Sequence, residues 1–151
     1  MMRIIYTFGE LDGTFPLDPA QVTGDLAVDS TNTYLLSLME GKIVALDNNG
    51  NVKLAEDGDL DIGMLVQNAL GNPYENTPAI ASGFVAVAAG GGVFETDQVV
   101  ESDIKPADLL YIGVDDNKGL LTKTKPNDDS APVAVARTAN SAEDKTVRVK
   151  M

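Results

Sequence analysis

The sequence predicts a mainly β fold: a small barrel or sandwich built from two similar hairpin-containing halves, with an extended N-terminal arm and at most one or two short helices. Three observations carry this expectation. Short apolar runs alternate with period two between turn residues. One hairpin-forming cluster is written twice, as VALDNNGNVKL at 44–54 and IGVDDNKGLL at 112–121. No segment holds helical periodicity over three capped turns.

Taken in order, residues 1–29 read as an arm and 30–151 as the β-rich domain. In the arm, Ile4, Tyr6 and Phe8 fall on one face of a strand, with Ile5 and Thr7 on the other. Gly9, Gly13, Phe15, Pro16 and Pro19 follow in proline-punctuated, extended sequence. Such a segment reaches about 3.3 Å per residue. It suits strand addition to a partner's sheet edge, or pairing within its own domain; the sequence leaves both open. Thr31 to Gly41, with Ser30 or Thr31 as cap and Gly41 as stop, fits a short helix or a strand equally well. A short helical turn also fits DQVVESDIKPADLL, limited by Pro106.

The first repeated cluster contains Asn49-Gly50, a strong hairpin signal, because both central residues of a type I′ turn take positive φ. Asn117, Lys118 and Gly119 supply similar chemistry in the second. Flanking strands alternate: Val52 and Leu54 against Asn51 and Lys53; Leu110, Ile112 and Val114 against Leu109, Tyr111 and Gly113; Val133 and Val135 against alanines; Val147, Val149 and Met151 against Thr146, Arg148 and Lys150. The likeness continues past each hairpin. A polar, acidic connector (AEDGDLD, KTKPNDDSA) leads to an apolar strand (IGMLVQNA, PVAVARTA). The offset is 69 positions from Asp47 to Asp116 and 70 from Ala69 to Ala139, so one insertion reconciles the copies. Each half then exposes an apolar face that it cannot bury alone.

Composition narrows the function. With 151 residues and 44% apolar content the chain can bury a sizeable core. It has neither Cys nor His, which removes disulfides, thiolate metal sites, cysteine nucleophiles and Ser–His–Asp triads. A net charge of −12 argues against nucleic acid and anionic membranes, and suits solubility or a basic protein partner. The N-terminus does not read as a signal peptide, so synthesis and folding are expected in the cytoplasm.

The candidate chemical motifs all read more simply as structure. Ala89 to Val93 is glycine-rich but lacks the Gly-Lys-Ser/Thr of a phosphate loop and the spacing of a dinucleotide fingerprint; it reads as a tight loop between strands. Asp47–Asn51 and Glu56–Asp61 resemble fragments of calcium loops without the complete pattern. Asp115–Asp116 and Asp128–Asp129 lie in expected turns, where adjacent carboxylates do not converge on a substrate. No catalytic residue, cofactor or metal ligand is therefore assigned, and the chain is expected not to be an enzyme.

The run VALDNNGNVKLAEDGDLDIGMLVQNA resembles the head decoration, or cement, proteins of tailed bacteriophages. So does GFVAVAAGGGVFETDQVVESDIKPADLLYIGVDDNKGLLTK, with its acid-Leu-Leu-Tyr strand at Asp108–Tyr111 and a later V-x-V. The likeness covers roughly residues 40–151, and the family often has Gly-Asp where this chain has Ala107-Asp108. The resemblance implies a small, β-tulip-like domain on the outer surface of a capsid, made in the host cytoplasm and housed in the virion. It implies the major capsid protein and further copies of itself, as a homotrimer at threefold or quasi-threefold positions, as partners, with no nucleic acid and no membrane. An arm lying along the shell would place Ile4, Tyr6, Phe8 and Phe15 as capsid contacts. The alternative is another virion surface module, associated with tail, baseplate or fibre and binding carbohydrate.

Overall fold

The structure, a computed structural model, describes Met2–Thr7, Gly13–Pro16, residues 41–60, 62–66, 84–89 and 91–151. Its elements are β1 (Met2–Thr7), β2 (Gly13–Pro16), β3 (Ile43–Leu46), β4 (Val52–Leu54), β5 (Ile62–Leu65), β6 (Phe84–Ala89), β7 (Gly92–Thr96), β8 (Leu109–Ile112), β9 (Leu121–Thr122), β10 (Ala134–Ala136) and β11 (Val147–Lys150). A single 3₁₀ turn, Asp115–Asn117, is the one helical element among the described residues. The expected mainly β fold is present. The Thr31–Gly41 segment lies outside the described residues, except for Gly41.

The strands form two sheets, in the orders β1-β7-β11-β10-β8-β9 and β2-β6-β5-β3-β4. Every pairing between these strands is antiparallel. The two orders are the same order written twice. Replacing β2, β3, β4, β5 and β6 by β7, β8, β9, β10 and β11 turns the second sheet into the first, leaving β1 as an added edge. The duplication read from local sequence is thus a duplication of topology.

Register refines the alignment. Offsets of 69 from Ile43 and 70 from Met64 land on Ile112 and Ala134. The structure pairs Ile43 with Met64, but Ala134 with Leu110. This slip of two residues keeps every side chain on its original face, because the strand period is two. In β10 the alanines face inward: Ala134 and Ala136 are buried, while Val135 is only half-buried. In β11 Val147 and Val149 are buried and Arg148 and Lys150 exposed, matching the sequence alternation.

The two hairpins turn differently. In the first, Gly50 N–H donates to Asp47 O (3.0 Å) and Asp47 N–H to Asn51 O (2.8 Å). Gly50 has φ +80°, whereas Asn49 is not among the residues with positive φ. The turn is therefore a three-residue loop closed by a left-handed glycine, not the expected type I′ pair. The Asp47 carboxylate accepts the N–H groups of Asn49 (2.8 Å) and Asn51 (2.9 Å), which stabilises this alternative. The second loop is longer. Gly113 N–H donates to Leu120 O, and the 3₁₀ turn begins at Asp115, itself left-handed at φ +54°.

The short helical turn that fits DQVVESDIKPADLL in sequence is absent. That segment is held extended by distant partners: Val100 N–H donates to Leu121 O, Leu121 N–H to Gln98 O, and Ile104 N–H to the Asn140 side chain. Val99 and Ile104 enter the core as single buried anchors. The segment ends in a Lys105–Asp108 turn, with Pro106 followed by Ala107 at φ +74°. A type II turn takes positive φ at this position, which normally favours glycine.

The N-terminal segment pairs within the chain itself over the described stretches. β1 runs along β7 and β2 along β6. The glycine-rich stretch is the expected tight loop between strands: β6 ends at Ala89, Gly91 takes φ +91°, and β7 begins at Gly92. It carries the chain from one sheet to the other. Gly92 allows the Phe94 ring to lie over it, since a Cβ there would sit 2.5 Å from the ring.

The halves share one core. Ile43, Ala45, Ala55, Met64 and Ala88 of the first half cluster with Phe94, Ile104, Leu110, Ile112, Leu121, Val147 and Val149 of the second. Their backbones are also joined directly. Ile43 N–H donates to Gly119 O (2.7 Å) and Gly119 N–H to Ala55 O (3.2 Å). Buried Thr96 donates its hydroxyl to Gly41 O (3.0 Å).

Two predictions follow from this architecture. Gly119 has φ +75°, and a Cβ there would meet the Leu54 side chain at 2.8 Å and Ile43 O at 3.0 Å. Gly119→Ala should cost about 2–3 kcal/mol in urea unfolding, combining left-handed backbone strain of about 1–2 kcal/mol with displaced packing. Gly50→Ala carries similar strain (φ +80°), but nothing lies within 4 Å of its Cβ, so it should cost about 1 kcal/mol. Equal losses would remove the special role of the junction. Separately, deleting residues 1–7 removes the added strand β1 and should leave cooperative thermal unfolding at a lowered midpoint. Deleting 1–18 also removes β2 from the first half and should lower the midpoint much further. Equal midpoints would contradict the assignment of β2 to the repeat.

Candidate functional site

The residues singled out in the N-terminal segment do not converge on one strand. Ile4 and Tyr6 lie on β1, opposite Phe94 and Val93; Phe15 lies on β2, opposite Val85 in the other sheet. Phe8 falls outside the described residues. The pairing is irregular between Ile4 and Tyr6, where two steps on β1 match one on β7, so the simple period of two is broken there. β1 and β2 are the outermost strands of their sheets.

A second feature was not visible in the sequence. Two shallow depressions, of about 250 Å³ and 270 Å³, flank the second hairpin loop and share Gly113 and Val114. The first is lined mainly by Val100, Val114, Pro126 and the threonines of β9 and its continuation. The second is lined by Glu56, Asp57, Val114, Asp115 and Lys118. Val114 stands between them at 40% exposure. Gly113 is needed here because a Cβ would collide with the Asn117 backbone.

The connectors of the two halves build the walls. Asp57, from the first connector, accepts the hydroxyl of buried Ser130 (2.6 Å) and the side-chain amide of Asn127 (3.0 Å), both from the second. The Ser130 hydroxyl, then the Asn127 amide, hold the Asp57 carboxyl below its ordinary range. Lys118 reaches Glu56 at 2.9 Å across the same boundary. Asp59 accepts the Glu56 N–H (2.8 Å) and pairs with Lys53 (3.0 Å), which rigidifies the tip of the first connector. Leu60, next in sequence, is 98% exposed.

Glu101, on the wall of the first depression, ties the segment before β8 to β9. Its carboxylate accepts the hydroxyls of Thr122 (2.5 Å) and Thr124 (3.0 Å) and the Lys123 N–H (3.1 Å). Burial pushes its pKa upward, but the hydrogen bonds from Thr122, Lys123 N–H and Thr124 outweigh it and leave the carboxyl below its ordinary 4.5. Glu101 is thus a polar knot between the segment before β8 and the strand β9.

The other motifs resolve into turn chemistry. The carboxylates of Asp47, Asp57 and Asp59 are occupied by N–H, hydroxyl and ammonium groups within the fold. Asp115, Asp116, Asp128 and Asp129 are exposed on loops. Among the described residues no group of three or more acidic side chains is placed to hold a metal ion, and no helix is long and apolar enough to cross a membrane.

A depressed Glu101 pKa stabilises the fold above the ordinary value and loses that contribution as pH falls through the lowered one. Glu101→Gln should lower stability by about 1–2 kcal/mol at neutral pH. Its gap from the parent chain should close as pH falls below 4.5, in urea melts at stepped pH. A gap constant with pH would show that the charge is not what holds the knot.

In comparisons with protein-family models, curated proteins and solved structures, the chain has no match.

Proposed function

We propose that this chain is a non-enzymatic decoration protein of a tailed-bacteriophage head, binding the outer surface of the assembled capsid and reinforcing it. One observation carries the reading. The stretches that resemble the decoration family supply β3, β4 and β5 of one half and β6, β7, β8 and β9 of the repeated architecture. The resemblance thus falls on the framework of the fold, not on a peripheral loop. A small β unit in which Asp47, Asp57, Asp59 and Glu101 are engaged by hydrogen bonds of the fold suits a role defined by the surface it grips.

In this reading the partners are the major capsid protein and further copies of the chain, arranged as trimers at threefold or quasi-threefold positions. The outer strands β1 and β2, which carry Ile4, Tyr6 and Phe15, lie against the shell. Each subunit contributes a modest interface, and oligomerisation multiplies it through effective concentration. A ligand that binds only the mature lattice stabilises that lattice by mass action.

The test is reconstitution. Purified protein added to undecorated heads should bind saturably, in a fixed number of copies per particle, and should raise the temperature at which the heads release DNA. Absence of saturable binding, with unchanged heat resistance, would end the proposal.

A further inference from the structure

We infer that the groove beside Val114, together with the exposed Leu60, is a docking surface for a lysine- or arginine-bearing segment of a partner protein, Leu60 being its apolar anchor. The inference adds a second contact face, besides the N-terminal strands, to the decoration reading and rests on that reading for the partner's identity, though not for its chemistry.

The apolar part comes first. Leu60 is 98% exposed, and Val114 is 40% exposed between two depressions whose shared wall it forms. Leu60 does not sit on a loose tip. Asp59 N–H donates to Glu56 O (3.1 Å), the Asp59 carboxylate receives the Glu56 N–H and Lys53, and Gly58 takes the positive φ the turn requires. A turn braced in this way that holds a large apolar side chain in water forgoes the free energy of burying it. Contact with a partner recovers it at little ordering cost, because the loop is already set.

The occupant follows from charge. Glu56, Asp57 and Asp115 line the groove, and its single base, Lys118, is already bound to Glu56 at 2.9 Å. The chain as a whole carries −12. A second copy would bring like charge to this face, whereas a segment pairing an apolar side chain with Lys or Arg would match both components. Of the rim acids, Asp57 is partly satisfied by Ser130 and Asn127, while the Asp115 side chain has no hydrogen-bond partner among the described residues. Asp115 is therefore the acid most available to a cation.

The experiment compares the full chain with Leu60→Asp and Asp115→Asn on undecorated heads. Both substitutions sit at exposed positions, and Asn accepts the left-handed backbone of residue 115; circular dichroism melts should match the parent. Leu60→Asp should weaken binding about tenfold or more, as loss of an anchor does. Asp115→Asn should weaken it less and flatten its dependence on added salt. Parent-like affinity in both variants overturns the docking surface while leaving the decoration function standing. If the parent chain itself does not bind heads, the decoration reading fails. The surface is then decided by NMR titration with a short peptide alternating Lys and Leu. Salt-sensitive shifts confined to residues 56–60 and 113–118 keep it, and shifts elsewhere or none overturn it.

Discussion

Each half of this molecule has an apolar face that only the other half can cover. The rest of the structure depends on that constraint. A five-stranded antiparallel sheet with one apolar face must bury that face against another element; two of them facing each other make a core from Ile43, Met64, Phe94, Leu110 and Val149. The junction is not left to hydrophobic contact, which is non-directional. The backbone of Gly119 exchanges hydrogen bonds with Ile43 and Ala55, and this sets how the second hairpin sits on the first.

The polar residues at the seam extend the same logic. The connector after the first hairpin and the connector after the second meet through Asp57, Ser130 and Asn127, and again through Glu56 and Lys118. Exposed ion pairs contribute little to stability on their own. Hydrogen bonds that satisfy a buried hydroxyl such as Ser130 matter more, because an unpaired buried polar group is costly. Among the described residues no buried side-chain polar atom lacks a partner. Several acids at the described turns are thus engaged by the fold, while Asp115 and Asp116 in the second hairpin loop and Asp128 and Asp129 in the second connector are exposed.

The outer strands of the sheets differ in character. At one end of each lie β4 and β9, the short return strands of the hairpins, joined to the rest of the molecule near Gly119. At the other lie β1 and β2, both from the N-terminal segment. Edge strands offer unpaired backbone groups, and the irregular register in β1 and the proline closing β2 are features that restrain indiscriminate pairing. The chain therefore places its N-terminal strands and its acid-rimmed groove on different structural elements, so the two can be altered independently.

The sequence by itself determined the β class, the hairpin positions, the alternation in β11 and the doubled layout, because period-two patterning and turn residues act over a few positions. It also excluded cysteine and histidine chemistry by simple absence. Only the tertiary structure decided that DQVVESDIKPADLL runs extended, that the first turn closes on Gly50 alone, that alanines rather than valines of β10 face the core, and that the connectors meet around Val114. Most of these depend on partners tens of residues away (Leu121 for Val100, Asn140 for Ile104, Ser130 for Asp57), whereas the first turn is settled by the Asp47 carboxylate two and four residues off. Local sequence encodes what a segment favours on its own; which of its faces and hydrogen-bonding groups are used is settled by the distant surface it meets.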